Sequence, residues 1–469
     1  MKLNAKQIQL ACGGEFLVKG SDAFAIKAQI DSRNIEKGDL FIAFSGEKTD
    51  GHKYIDNAIR GGATVICCEK TISENTKTLA KEMGTSIILV DDSLMAINNI
   101  AKYWRDKINA KVIGITGSSG KTTTKNLIYD VLSSEFNVCA TKGNHNNNIG
   151  LPITITESEP NDDILITEMG MNNLGEIQKL CQTAKPEWGL ITNVGESHIE
   201  NLGSRQNIAN AKAELAEAIP TGTGKMFLYK EDDYRDYIIE RAKLKERNIE
   251  VVLFGGREYD PSLDYAQVWA EDVVINNQGQ PNFSIHTKDQ VATCRLNLRG
   301  EHNIINVCAA AAVGLACNIS LYDSVSVLNK SLPEVGRQEI IECPGGYTII
   351  NDAYNANPES MKVSLKTFST MKCDGKKIAV LGDMLELGEY TKACHEAVGK
   401  QIQNIDKLIC VGEQSKYIAS ASQIEDMILC KDNREALTEL EKIIMPKDLV
   451  LIKASNGMKL DYVVRGIRS

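Results

Sequence analysis

The sequence predicts an α/β protein of three modules, each built on a mainly parallel sheet covered by helices. Three observations carry that expectation. Short Val/Ile-rich runs alternate with longer helical stretches almost throughout the 469 residues, the pattern of strand–helix–strand units. One of these runs, KVIGIT, leads straight into a Gly-rich turn and a helix. At Pro333–Gly336 the chain breaks, and a third round of alternation begins.

Taken in order, the first module (1–91) is expected to hold strands at 28–30, 40–44, 63–67 and 86–90. A helix over 54–60 joins the middle pair. The second module (92–333) opens with a helix over 94–105, and the apolar run 111–116 reads as a buried strand. Further strands fit 164–167, 188–192 and 226–229, and a long helix fits 301–317. In the third module (334–469) the strands fall at 347–350, 377–381, 407–411 and 449–452. No short-period repeat or low-complexity tract interrupts this order.

Composition removes several function classes. Lys plus Arg is 53 and Asp plus Glu is 62, leaving a net charge of −9. That balance argues against nucleic-acid binding, which needs basic surface, though a few local cations can still hold a small anion. The longest strongly apolar stretch without charge, 307–320, is too short to span a bilayer. The N-terminal run MKLNAKQIQLACGG lacks the apolar core of a signal peptide. The 13 cysteines are odd in number and form no C-x-x-C, so reduced thiols and a cytoplasmic location are expected. No ligand cluster has the spacing of a structural zinc site.

The strongest local signal is KVIGITGSSGKTTTKN, strand then turn then helix. Gly117 and Gly120 let the backbone approach a phosphate, and amides at the helix start point at the anion. Lys121 reaches the β/γ-phosphates and the Thr122 hydroxyl suits Mg²⁺. The general P-loop asks for a glycine where this chain has Ile115, so its first useful glycine is Gly117. A capping turn that merely contains Gly-Lys-Thr is the plainer alternative; a strand and a helix on the correct sides favour the phosphate loop.

Other candidates are weaker singly. Glu168 ends the run DILITE, where an open parallel sheet presents its ligand edge; an exposed strand-end acid is the plainer, less favoured reading. His198 lies in the loop NVGESHIENLGS, where a histidine is more often a surface residue than a ligand. Lys212 in NIANAKAEL is less informative still, since helical lysines are usually solvated. The Asn-rich stretch TKGNHNNNIGLP is either a turn-rich loop or the polar lining of an anionic pocket.

Together and in order, these pieces resemble the Mur ligase family. TGSSGKTTTK, TKGNHNNNIGLP, EMGMNNLGEI, TNVGESHIENLGS with NAKAEL, LRGEHNIINVCAAAA, VGRQEI, NDAYNANPESM, LGDMLELGEYTKACH and KASNGMKL run from Thr116 to Leu460. DSRNIEKGDLFIAFSGEKTDGHKYIDNA looks like the family's UDP-binding module, so the resemblance covers nearly the whole chain. The P-loop and the H-N-x-x-N helix would fit any Mur ligase or the related folylpolyglutamate synthetases. YNANP and LGDMxELG point to the member that adds D-alanyl-D-alanine.

The resemblance implies a UDP-sugar-binding domain at 1–91, a P-loop ATPase domain at 92–333 and a Rossmann-like ligase domain at 334–469. It implies an ATP-dependent ligase that activates the carboxylate of UDP-MurNAc-tripeptide as an acyl phosphate and passes it to D-Ala-D-Ala. Lys121 would bind the ATP phosphates with Gly117, Ser118, Ser119, Gly120, Thr122 and Thr123. Thr122 and Glu168 would hold one Mg²⁺. His198 would hold a second with Lys212, which in this family carries a CO₂-derived carbamate. Asn303 and Asn306 would meet adenine, with Arg337 and Asp352 closing over ribose and phosphates. Asp31, Ser32, Arg33, Gly46, Asp50 and His52 match the UDP-sugar end. Asn144 and Asn147 line the substrate pocket, and Tyr354, Asn355 and Asn357 match the dipeptide loop. A monomer is expected. Lys230 departs from the pattern, which favours a small polar residue there. Two alternatives stay open: a ligase for another acid, such as a folate or a different Mur substrate, and a non-catalytic nucleotide switch.

Overall fold

The structure, a computed structural model, describes residues 1–46 and 49–468. Each module carries its own sheet. The first has five strands in the order Glu15–Val18, Ser86–Leu89, Val65–Cys68, Leu40–Ile42 and Ala28–Gln29. Only the Glu15–Val18 edge runs antiparallel. The third has six strands, of which only the edge strand Glu339–Glu342 is antiparallel to its neighbour. Every strand expected from the sequence is present, because each was a short apolar run of the length a buried parallel strand needs.

The central sheet has nine strands. Six consecutive ones, Val138–Ala140, Ile164–Glu168, Lys111–Thr116, Trp188–Ile191, Lys225–Tyr229 and Glu250–Phe254, pair in parallel. Ala266–Ile275 joins them in parallel and then turns back through Pro281–His286 and Val291–Arg295 as an antiparallel meander. This extension is not legible in the expected pattern. Pro281–His286 and Val291–Arg295 alternate buried and exposed residues and so lack the continuous apolar runs that marked the expected strands; Val138–Ala140 and Glu250–Phe254 were not among the expected strands either.

Lys111–Thr116 sits where the strand order reverses: the chain goes first to Val138–Ala140 and Ile164–Glu168 on one side, then to Trp188–Ile191 on the other. A crevice opens at the carboxyl ends of strands at such a point. The long helix His302–Ala316 packs there against the helix Lys121–Leu132. Close approach is enforced by small residues, since a Cβ on Gly314 would come within 2.8 Å of Val131. This packing holds Asn303 and Asn306 beside the P-loop.

Candidate active site

The loop after Lys111–Thr116 is fixed from below. Gly117 has a φ of 154°, and a Cβ there would collide with the Thr192 hydroxyl. That hydroxyl donates to the Ser119 carbonyl at 2.6 Å, and Asn193 Oδ1 accepts from the Ser119 amide at 3.0 Å. Gly120 adopts the left-handed conformation (φ 77°) as the N-cap of Lys121–Leu132, with a Cβ position only 2.8 Å from Asn306 Oδ1. No side chain caps this helix, so its first amides are free for an anion.

Above the loop lies a cleft of about 550 Å³, lined from both the central and third modules. Ser118, Ser119, Gly120, Lys121, Thr122, Thr123, Asn144, Asn147, Glu168, His198, Asn303 and Asn306 face it from one side. Arg337, Asp352, Tyr354, Asn355 and Asn357 face it from the other. The sides touch. Arg337 Nη2 donates to Thr122 Oγ1 at 2.8 Å, with its guanidinium 4.2 Å over the Tyr354 ring. Asn357, the N-cap of Pro358–Thr370, donates to Ser197 Oγ at 2.8 Å. Lys366 pairs with Glu301 at 3.0 Å. The third module is closed on the second.

Asn303 and Asn306 occupy one face of their helix, Asn306 Nδ2 donating to Asn303 Oδ1 at 2.9 Å. Asp352 does not stand free: Lys453, 3% exposed, pairs with it at 2.8 Å and also donates to the Asn355 carbonyl. Lys453 was not singled out in the sequence, although it lies in KASNGMKL. Nor was Asn146, which lies between two predicted pocket asparagines and donates to Glu168 Oε1 at 3.0 Å. Glu359 also lines the cleft, its carboxylate pressed against Gly195 where no Cβ would fit.

Electrostatics separate the two lysines. Burial pulls the Lys121 ammonium below its ordinary value, with Glu168 opposing and Arg337 adding to the fall. Burial pulls Lys212 well below its own, reinforced by Lys121, and only Glu359 and Asp232 oppose it. Lys212 is 1% exposed, has no hydrogen-bond or ion-pair partner among the described residues, and does not line the cleft.

Glu168 is 2% exposed, and its Oε2 is buried without a hydrogen-bond partner. An orphaned carboxylate oxygen facing a phosphate loop fits a divalent cation, which would relieve the cost of leaving it unpaired. Among the described residues no three His, Cys, Asp or Glu side chains form a ready-made cage.

The N-terminal candidates lie elsewhere. Asp31 caps the turn Ser32–Asn34 and pairs with Arg33, whose side chain is largely exposed. The Gly46 amide donates to the Thr49 carbonyl at 3.0 Å, and Asp50 caps Gly51–Tyr54 while pairing with His52 at 2.7 Å and Lys70 at 2.6 Å. None of these lines the nucleotide cleft. Lys230 turns away from it as well, donating to the Glu258 carbonyl.

Three family profiles cover the chain: "Mur ligase family, catalytic domain" at 28–105, "Mur ligase middle domain" at 115–314, and "Mur ligase, glutamate ligase domain" at 336–456. The protein belongs to the Mur ligase family. Among the relatives of this Mur ligase, the UDP-N-acetylmuramoyl-tripeptide–D-alanyl-D-alanine ligase of Bacillus subtilis is 34% identical, over 93% of this chain and 92% of its own. The enzyme of the same name from Synechocystis is 34% identical over 92% and 90%. Crystal structure I of MurF from Acinetobacter baumannii superposes with a TM-score of 0.86 at 28% identity, covering 100% of this chain and 99% of that one. MurF from Thermotoga maritima, solved with ADP, gives 0.77 at 27% identity, covering 94% and 97%. Among the described residues no helix of this Mur ligase is long and apolar enough to cross a membrane.

Proposed function

We propose that this Mur ligase joins D-alanyl-D-alanine to UDP-N-acetylmuramoyl-tripeptide, turning ATP into ADP and phosphate and giving the pentapeptide precursor of peptidoglycan. The observation that carries the reading is the closed cleft, in which the P-loop faces the YNANP loop of the third module. A carboxylate is a poor electrophile. Its oxygen therefore attacks the γ-phosphorus of ATP, the bond to the β-phosphate oxygen breaks, and ADP leaves an acyl phosphate behind. The dipeptide amine, once it has lost a proton, attacks the acyl carbon and phosphate departs.

The first step crowds negative oxygens together, so the protein's task is to position them and to neutralise charge. Lys121, Arg337 and the amides of Gly117–Thr123 supply fixed positive potential. Thr122 and Glu168 would hold one Mg²⁺, and His198 with Lys212 a second; when bound, the ions supply charge neutralisation at the phosphates. Asn303 and Asn306 receive the base, and Arg337 and Asp352 close the far side. Closure also keeps water from the acyl phosphate.

Lys212 carries CO₂ as a carbamate in this reading. Its neutral amine attacks CO₂, an N–C bond forms and one proton is released. The support is its burial, its lowered pKa and its lack of a hydrogen-bond or ion-pair partner among the described residues. The N-terminal set (Asp31, Ser32, Arg33, Gly46, Asp50, His52), none of which lines the ATP cleft, takes the UDP end of the substrate. The domains then divide at 1–91, 92–333 and 334–469. One chain supplies both walls of the cleft, which supports a monomer as the working unit, placed in this reading in the cytoplasm where ATP and reduced thiols belong.

The test offers purified enzyme, ATP and each of a panel of amino acids and dipeptides with UDP-MurNAc-tripeptide. Phosphate release is expected with D-Ala-D-Ala above all others. Equal turnover with single amino acids, or with folate as the acid, contradicts the reading.

A further inference from the structure

The run LGDMLELGEY, so distinctive in the sequence, takes no part in the nucleotide contacts described above. Its first half is scaffolding. Asp383 accepts from the amides of Gln414 and Ser415, at 3.0 and 2.7 Å. His395 Nε2 accepts from the Met384 amide at 3.0 Å, and the Ser455 hydroxyl accepts from the Leu385 amide at 2.9 Å. These bonds pin the root of a loop whose tip leaves the third module.

The tip lands on the His198 loop of the central module. A Cβ on Gly388 would come within 2.8 Å of the Glu200 side chain, and Tyr390 Oη reaches the Gly203 carbonyl at 3.5 Å. Between them Glu386 Oε2 stands 2.9 Å from His198 Nδ1, a close approach without the alignment of a full hydrogen bond. Both residues have left-handed backbone, each with a φ of 63°. Non-glycine residues hold that conformation only where surrounding structure over-determines it, and here two such residues meet across a module boundary. His198 Nε2 has no hydrogen-bond partner among the described residues and its side chain lines the cleft. Glu176 is the other acid whose field His198 feels, but it belongs to the central module and is present whether or not the third module closes.

A metal-binding histidine commonly has its second ring nitrogen held by a carboxylate, which fixes the ring and the tautomer. We infer that Glu386 is a positioning residue: it holds His198 Nδ1 so that Nε2 faces the second cation site, and it does so only when the third module has closed. Closure and assembly of that site then become one event. The inference rests on the reading of His198 as a metal ligand. A solvent-exposed ion pair of little consequence is the plainer explanation; it accounts for neither the paired left-handed backbones nor the loop docking around them.

The test uses the full chain with UDP-MurNAc-tripeptide and a non-hydrolysable ATP analogue, and counts bound Mn²⁺ by electron paramagnetic resonance. The wild type should bind two ions, and H198A should lose the weaker. E386Q should weaken that same ion about 10-fold, leave the other within 2-fold, and leave binding of UDP-MurNAc-tripeptide unchanged as a check on folding. Added to H198A, E386Q should cost nothing further. Should E386Q change the weaker affinity by less than 3-fold, or add its full effect to H198A, Glu386 does not act through His198 and the inference fails. Should H198A retain both ions, the ligand reading beneath it fails instead.

Discussion

Lys121→Ala is expected to lower turnover by ~10²-fold or more, the usual worth of a charge contact made to a transition state, while leaving the protein folded. The ammonium is folded back on its own loop, donating to the Gly117 carbonyl at 2.7 Å, and it has no other hydrogen bond among the described residues. It sits beside an orphaned Glu168 oxygen and beneath Arg337, in a site that burial already makes hostile to an unpaired cation. Phosphate oxygens would relieve that hostility, so the lysine's favourable interaction is made with substrate and not with the fold. Steady-state turnover and the thermal midpoint, measured together, check both halves. Turnover above about a tenth of wild type would exclude the P-loop role, since an oxyanion donor alone is worth ~10²-fold.

Lys212→Ala is expected to be nearly inactive and partly restored by acetate or formate. A lysine of ordinary pKa, about 10.4, is protonated at pH 7 and cannot attack CO₂. Here burial first, and Lys121 second, favour the neutral amine, and a neighbouring cation would stabilise the anion it becomes. On the carbamate proposal the sign follows for pH: as pH falls through the lowered pKa the amine would be protonated, and activity should fall with it and recover with added CO₂. A small carboxylic acid can occupy the space left by the side chain and return the anion; chloride cannot. Recovery by small amines with none by carboxylates would show that the ammonium was the working group. Ala211 and Ala213 flank the residue and are fully buried, so the thermal midpoint of the variant separates lost chemistry from a collapsed cavity.

Much of this site was legible in the sequence because its parts are short and local. The P-loop needs a strand, two glycines with unusual backbone and a helix start, and all four lie within KVIGITGSSGKT. Glu168 was findable because it ends an apolar run, DILITE, and the structure sets that strand beside Lys111–Thr116. Lys453 and Asn146 were harder, because each acts through another residue, Asp352 or Glu168, and such a relation exists only once the chain is folded. Glu386 shows the limit most clearly. It was quoted within a distinctive run, yet its partner His198 lies 188 residues earlier in the chain, and nothing local links them. The antiparallel strands at 281–286 and 291–295 escaped for a different reason: with one face open, buried and exposed residues alternate along them and leave no continuous apolar run.

The central claim is that the cleft between the second and third modules makes an acyl phosphate on the tripeptide and hands it to D-Ala-D-Ala. Labelling the terminal carboxylate of UDP-MurNAc-tripeptide with ¹⁸O tests it most directly. If the carboxylate oxygen attacks the γ-phosphorus, one labelled oxygen must appear in the released phosphate for each peptide bond formed, and mass spectrometry of phosphate and product should find it there. Unlabelled phosphate accompanying a pentapeptide product would mean that the carboxylate was activated by another route, and would contradict the account.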